Sequence, residues 1–213
     1  MQVSCKVPMG VWSADADDGY ITTFEGKILS ATRTDPRSEN WKTEQIGKVI
    51  FRILQASAAL NENEDLSDIC DADSAEMHYL HCVYFDFNTN SLKDDYAFVA
   101  QNLLYLDSIE VTPEARNNDV HVAAVHYIIR TFGTGCGLTV MYPDDDDGIL
   151  RDVCKKLKFN KASIPEGVID DGCPPWHRML HYQLPRIHIR DFASKFEFPP
   201  RNAVVSMLRE KVE

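Results

Sequence analysis

The sequence predicts a mixed α/β fold with α+β character: a central mixed β-sheet flanked by helices, with an N-terminal extension, in a single domain of 213 residues. Three observations carry that expectation. Runs rich in Val, Ile, Tyr and Phe alternate with stretches whose apolar residues recur every three or four positions. From Leu103 to Phe159 the order is strand, loop, apolar helix, strand, acidic turn, helix and strand. With 44% apolar and 10% aromatic residues, the chain also carries enough apolar surface for one sizeable core.

Tyr20 to Phe24 and Lys27 to Ala31 are β-prone runs on either side of Glu25-Gly26, which reads as a hairpin. The polar stretch Thr32 to Glu39, with Pro36, reads as a loop. From Asn40, residues Ile46, Val49, Ile50, Ile53, Leu54 and Leu60 fall on one helical stripe, so a helix is expected to run to near Asn61. Residues 61–76 are dense in Asp and Glu, as in a solvated connection or a short acidic helix. Met77 to Phe87, with its Tyr, Val and Phe, reads as a strand that turns at Asn88 to Ser91. Ala97 to Val111 holds the next strand or two. A helix from Val120 to Phe132, a turn at Gly133 to Gly137 and a strand from Leu138 to Tyr142 follow. A helix from Ile149 to Lys156, a strand around Phe159 and a strand from Met179 to Leu184 complete the series. A short C-terminal helix capped by Asn202 comes after Pro199-Pro200. This divides the chain into an N-terminal hairpin and helix region at 1–76, a core at 77–184 and a tail at 185–213.

The net charge of -11 argues against nucleic acid and anionic membranes as partners, since both are bound through clustered Lys and Arg. It suits a cationic partner or an amine substrate, and more simply a protein that uses charge to stay dispersed. Cysteines 5, 70, 82, 136, 154 and 173 form no C-x-x-C pair and sit mostly in apolar stretches, which reads as reduced, buried thiols of a cytoplasmic protein. Neither a secretory signal nor an 18-residue apolar span is evident. The oligomeric state has no signature in the sequence.

The junction after Val111 is the most informative segment. A strand end followed by Pro113, Arg116 and a helix start near Asp119 leaves several backbone N–H groups free at the edge of a sheet, where the helix dipole also points. Val111, Pro113 and Arg116, the strand Leu138 to Tyr142 and the triplet Leu157-Lys158-Phe159 stand in an order that resembles the GNAT superfamily of N-acetyltransferases. The resemblance covers roughly Leu103 to Leu184. It implies a GNAT-like sheet, acetyl-CoA as cofactor, a small-molecule or protein amine as acceptor, and acyl transfer between them. It also implies that loop amides hold the cofactor diphosphate and that splayed strands admit its pantetheine arm. Val111, Arg116, Asn117, Asn118, Asp119, Val120 and His121 then form the cofactor loop. Tyr105, Asp107 and Glu110 on the preceding strand are the candidate base and its neighbours, and Cys154 occupies the position of the general acid tyrosine.

The signature glycines are replaced by Asp119 and His121, and Asn117 follows the arginine where glycine is frequent. Asn117 and Asn118 are expected to keep the loop's bend in left-handed conformations. Asp119, at the helix start, is expected to cap the amides a phosphate would use. A carboxylate about 4 Å from a phosphate costs on the order of 4 kcal/mol at an effective dielectric near 20. The helix end returns only about 0.3 to 2 kcal/mol, so cofactor affinity should fall by roughly two to three orders of magnitude unless a cation intervenes. His121 adds bulk at a close approach. Strand alternation sends Asp107 and Glu110 to opposite faces, and Cys154 reads first as a buried structural thiol. A non-catalytic GNAT-fold binding or regulatory protein that has lost CoA binding is the rival reading.

No metal site is expected. Asp144 to Asp147 lack EF-hand spacing and read as a solvated turn. His78, His81 and Cys82 would point to alternate faces of a strand, and His177 and His181 share a side only in a helix. No G-x-S-x-G elbow is present.

Overall fold

The alternation of Lys48, Ile50 and Arg52 with Val49, Phe51 and Ile53 has the period of a strand, and a strand is what the residues form. The structure, a computed structural model, describes residues 2–6, 19–33, 41–96, 100–143, 148–162 and 181–183. Its elements run β1 (Gln2–Lys6), β2 (Ile21–Arg33), β3 (Trp41–Leu54), α1 (Ala56–Glu62), α2 (Leu66–Asp73), α3 (Ala75–Tyr84), β4 (Asn102–Val111), α4 (Pro113–Asn117), α5 (Val120–Phe132), a 3-10 turn (Gly133–Gly135), β5 (Cys136–Met141), α6 (Ile149–Lys156), β6 (Asn160–Lys161) and β7 (His181–Gln183). The fold is thus mixed α/β, as expected.

All seven strands form one sheet in the order β1-β2-β3-β4-β5-β7-β6, with β4 and β5 parallel and every other pair antiparallel. Side chains of β4 alternate between two cores. Leu103 and Tyr105 face a cluster built with α1, α2 and α3, while Leu104 and Leu106 face one built with α5 and α6. The sheet is therefore covered by helices on both faces, which is why its central strands are apolar on both sides. In the second core Phe51 stacks on Phe24 at 4.8 Å between ring centroids and tilts against Phe132 at 4.9 Å.

Three expected elements are corrected. The hairpin at Glu25-Gly26 is the middle of the single strand β2, where Gly26 pairs with Cys5 on one side and Val49 on the other, so there is no turn to make. The helix from Asn40 to Asn61 is β3 followed by the short α1. Its apolar residues fit both periods, and pairing with β2 and β4 along its length decides for the strand. The strand Met77 to Phe87 is instead α3, started by Ser74, whose hydroxyl accepts from the Met77 amide at 3.2 Å. Met77, Leu80, His81 and Tyr84 then form its buried stripe.

Two limits shift as well, β2 running on through Thr32 and Arg33 of the expected loop and β5 taking in Cys136 and Gly137 of the expected turn, and the other elements agree. The acidic stretch contains α2, capped by Asp65 and burying Leu66, Ile69 and Cys70. Helices α5 and α6 span the expected residues. Strand β7 falls inside the expected Met179 to Leu184. The acidic turn Asp144 to Asp147, His177 and the C-terminal helix at Asn202 lie outside the described residues. Among the described residues, no helix is long and apolar enough to cross a membrane. Cys70, Cys136 and Cys154 are buried free thiols and Cys82 is partly buried.

Candidate functional site

Thr112 opens the junction after β4. Its hydroxyl accepts from the Ala115 amide at 3.4 Å and Pro113 takes the first helical position, so α4 closes a single turn that ends at Asn117. Arg116 leaves that turn toward α6, where its guanidinium is the nearest group to a Cβ built on Gly148, at 3.9 Å. The bend that the sequence assigns to the asparagines belongs to Asp119, which is left-handed at φ 59° and ψ 22°, whereas Asn118 has φ -99°. Asn118 uses its amide to donate to the Glu114 carbonyl at 2.9 Å. Asp119 thus adopts the backbone conformation that glycine supplies at lowest cost.

The side chain of Asp119 does not cap α5. Its Oδ1 accepts from Lys156 Nζ at 2.6 Å, and the same ammonium donates to Asp152 Oδ2 at 2.7 Å. The expectation that this carboxylate occupies the first amides of the helix is therefore overturned. The exception stated for the repulsion of a phosphate is met, because a cation, Lys156, stands against Asp119. His121 is also placed differently from expectation. Its ring is fully buried and Nε2 lies 2.8 Å from Asp152 Oδ2, so its bulk packs between α5 and α6 rather than filling the loop.

The result is a chain of polar groups, His121, Asp152, Lys156 and Asp119, joining the N-terminal end of α5 to α6. Burial pushes the Asp152 carboxyl up, but hydrogen bonds from Lys156 and His121 and the lysine charge outweigh it and hold the group below its ordinary range. Hydrogen bonds to Asp119 and Asp152 raise Lys156, which keeps it charged. Asp119, Asp152 and Lys156 line a pocket of about 540 Å³ with Arg116, Asn117, Gly148, Arg151 and Lys155, while His121 lies buried behind it. Among the described residues, four cations, Arg116, Arg151, Lys155 and Lys156, and two carboxylates, Asp119 and Asp152, line it. Two helix starts meet at it as well. Gly148, left-handed at φ 65°, begins α6, and neither Gly148 nor Asp119 covers the first-turn amides with a side chain. Arg151 is partly engaged there, its Nε donating to the Pro143 carbonyl at 3.2 Å, and Lys156 already holds both carboxylates.

Val120 is buried and Val111 partly so, both against the core under α5 and α6. The remaining predicted residues lie apart. Strand β4 carries a bulge: Ile50 pairs with Ser108 and Phe51 with Leu106, leaving Asp107 as the extra residue. The extra residue resets the alternation. Asp107 meets Arg52 at 3.1 Å and Glu110 meets Lys48 at 2.9 Å, and Arg52 and Lys48 share one face of β3. Asp107 and Glu110 consequently lie on the same face, contrary to the expectation from simple alternation. Tyr105 is buried on that face, edge-on to Tyr142 with centroids 6.0 Å apart, and burial and then Asp107 raise its phenol. Cys154 is buried in the opposite core.

Asp152, Lys156, Arg151, Lys155 and Gly148 escape the sequence reading. The available signal is the alternation of charged pairs at 151–152 and 155–156 across one side of α6, opposite the buried Leu150, Val153 and Cys154. His78, His81 and Cys82 do lie along one helix, so the strand argument against a metal there fails. His81 instead stacks on Phe85 and His78 lies 3.6 Å from Asp71, and no metal-ligating cluster occurs among the described residues. Comparison of the chain with protein-family models, curated proteins and solved structures finds no match.

Proposed function

We propose that this chain is a GNAT-like acyltransferase that binds acyl-CoA at the α4–α5 junction and passes the acyl group to an amine. The observation that carries the reading is the pocket lined by Arg116, Arg151, Lys155 and Lys156 beside the starts of α5 and α6. The sheet supports it. Strand β7 lies between β5 and β6, and β4 and β5 pair only as far as Leu106 and Met141, after which Asp107 to Val111 have no partner on β5. The GNAT resemblance sets the pantetheine arm beside this free stretch of β4, between it and the end of β5 at Met141.

Arg116 and Lys156 would hold the diphosphate with the first amides of α5, and Lys155 and Arg151 would meet further phosphate. The cofactor itself supplies an activated thioester. The acceptor amine would take the acyl group as the carbon–sulfur bond breaks, and the proton it gives up would end on the departing thiolate. What the chain contributes is positioning and a charge-compensated pocket. A second reading, a GNAT-like binder without turnover, is favoured by Cys154 lying in the core and Asp107 being engaged by Arg52.

Thermal unfolding with millimolar acetyl-CoA tests binding, since a ligand at 100 times its dissociation constant adds about 2.7 kcal/mol. Mass spectrometry of mixed peptide and small amines after incubation tests transfer. A shift with acetylated product is the expected result, a shift without product favours the second reading, and no shift sinks both in favour of the rival, a GNAT-fold protein that has lost CoA binding.

A further inference from the structure

We propose that the loop from Phe85 to Leu92 is an acid-opened cover over the last turn of α3, held shut by the neutral ring of His81. The device lies on the other side of the sheet from the pocket and does not rest on the acyl-CoA reading.

His81 belongs to the buried stripe of α3 and is fully buried. Its ring stacks on Phe85 with centroids 5.6 Å apart and meets Phe87 edge-on at 5.2 Å. Phe85 is fully buried and Phe87 is 58% exposed, so Phe87 is the ring that separates the imidazole from solvent. The loop behind it is closed on itself. Phe85 bridges to Leu92, the Asp86 amide donates to the Ser91 carbonyl at 2.9 Å, and Asp86 Oδ1 accepts from the Asn88 and Thr89 amides at 2.9 and 3.0 Å. Lys93 fastens the far end, its Nζ donating to the Cys82 and Val83 carbonyls at 3.0 and 2.8 Å. A charged imidazole carries two N–H donors, and among the described residues neither Nδ1 nor Nε2 has a partner at hydrogen-bond geometry. A proton there is therefore costly while the loop is shut. Lifting Phe87 gives the ring water, so closure and protonation compete.

The groups around the ring leave that competition to burial. Burial is the first cause that lowers the His81 pKa from its ordinary value, and His78 on α3 and Lys93 after the loop add to it. Asn90, left-handed in the loop at φ 51°, comes near enough to favour the charged ring without completing a bond, and Asp65 at the start of α2 favours it too. The last turn of a helix also attracts a cation, and burial overcomes that attraction as well. Asp71 of α2 stands 3.6 Å from His78, and burial raises the thiol of Cys82. Asp86 is held below the usual carboxylate range, first by the Thr89 and Asn88 amides, so the turn keeps its cap in mild acid. With the closed-loop value of His81 below 6.5, closure is fully favoured above that pH and loses ground as pH falls toward the lower value.

Hydrogen exchange by NMR between about pH 7 and 5 tests the device, read as protection factors at Asp86, Asn90 and Lys93 so that the ordinary pH dependence of exchange cancels. Protection at these amides is expected to fall about fivefold or more across that range while amides of β3 and β4 hold theirs. His81→Phe keeps a ring against Phe85 and Phe87 and cannot titrate, so the fall should vanish there. His78→Gln should keep it. Phe87→Ala leaves His81 in place and uncovers it, and the titration midpoint of the His81 ring should then rise toward its ordinary value. Protection that ignores pH overturns the proposal, as does a fall that persists in His81→Phe or disappears in His78→Gln. An identical His81 midpoint in the parent and in Phe87→Ala overturns it independently of how His81→Phe folds.

Discussion

Lys156 is the residue on which the site turns. Its ammonium satisfies Asp119 and Asp152 at once, which lets an aspartate occupy a left-handed position otherwise suited to glycine without setting a bare negative charge against the ligand. Replacing Asp119 by Gly keeps the backbone conformation, frees Lys156 for the ligand and removes one carboxylate. Acetyl-CoA should bind about three- to tenfold tighter, by calorimetry, because most of the repulsion is already compensated in the parent. Lys156→Met should weaken binding by about tenfold or more, since it removes a cation and exposes two carboxylates. A tighter Lys156→Met variant or a weaker Asp119→Gly variant would contradict this arrangement. The same network sets a pH limit. Asp152 has a folded pKa below its unfolded value near 3.8, so its contribution to stability is complete above that value and is lost as pH falls through the lower folded one. Lys156, raised above 10.5, contributes fully below that value and loses its part as pH rises through the folded one. The melting-temperature gap between parent and Asp152→Asn should therefore hold steady from about pH 5 to 9 and close in stronger acid, with a size of about 1 kcal/mol or less for so exposed a network.

At the level of elements, small local features decide what each segment becomes. Gly47 is one that argues against a helix at 40–61, since glycine inside a helix costs about 1 kcal/mol, and in β3 a Cβ there would run into the Glu110 carbonyl of β4. Gly137 is similar: a Cβ would meet the Ala100 carbonyl oxygen at the start of β5. Gly137→Ala should thus destabilise the protein by about 1 to 3 kcal/mol in denaturant unfolding; an unchanged midpoint would show that the strands part without cost. Ser74 starts α3 and also receives Arg52 at 3.2 Å, so Ser74→Ala should cost about 1 kcal/mol or somewhat more. These features explain which elements the sequence disclosed. Helices α5 and α6 have one apolar side and clear ends, and their limits are readable to the residue. Strand β3 is apolar at 46, 49, 50, 53 and 54, positions that also satisfy a helical period, and its partners on both sides decide for the strand. Helix α3 hides behind Tyr, Val and Phe, residues of high strand propensity, and its capping serine is the signal that outweighs them.

Across the whole molecule, the sheet with helices on both faces brings the strand end at Val111, the start of α5 and the outer side of α6 to one place. The junction was legible because its loop and helix are continuous in sequence. The other wall of the pocket was not, because α6 lies some 30 residues further on and its charged pairs read alone as a solvated helix side. The bulge at Asp107 was equally invisible, since it exists only in the register between β3 and β4. The packing that fixes this geometry can be challenged at Phe51, fully buried between Phe24 and Phe132: Phe51→Ala should cost about 3 to 5 kcal/mol of unfolding free energy and weaken acetyl-CoA binding only as far as the fold is lost. The central claim is that the pocket between α4, α5 and α6 receives the diphosphate of acyl-CoA, and amide chemical-shift mapping with acetyl-CoA tests it most directly. The account predicts saturable shifts at Val120, His121 and Val122 and along Gly148 to Lys156, reduced in Lys156→Met. Shifts confined to other parts of the sheet, or none at millimolar ligand, would contradict it.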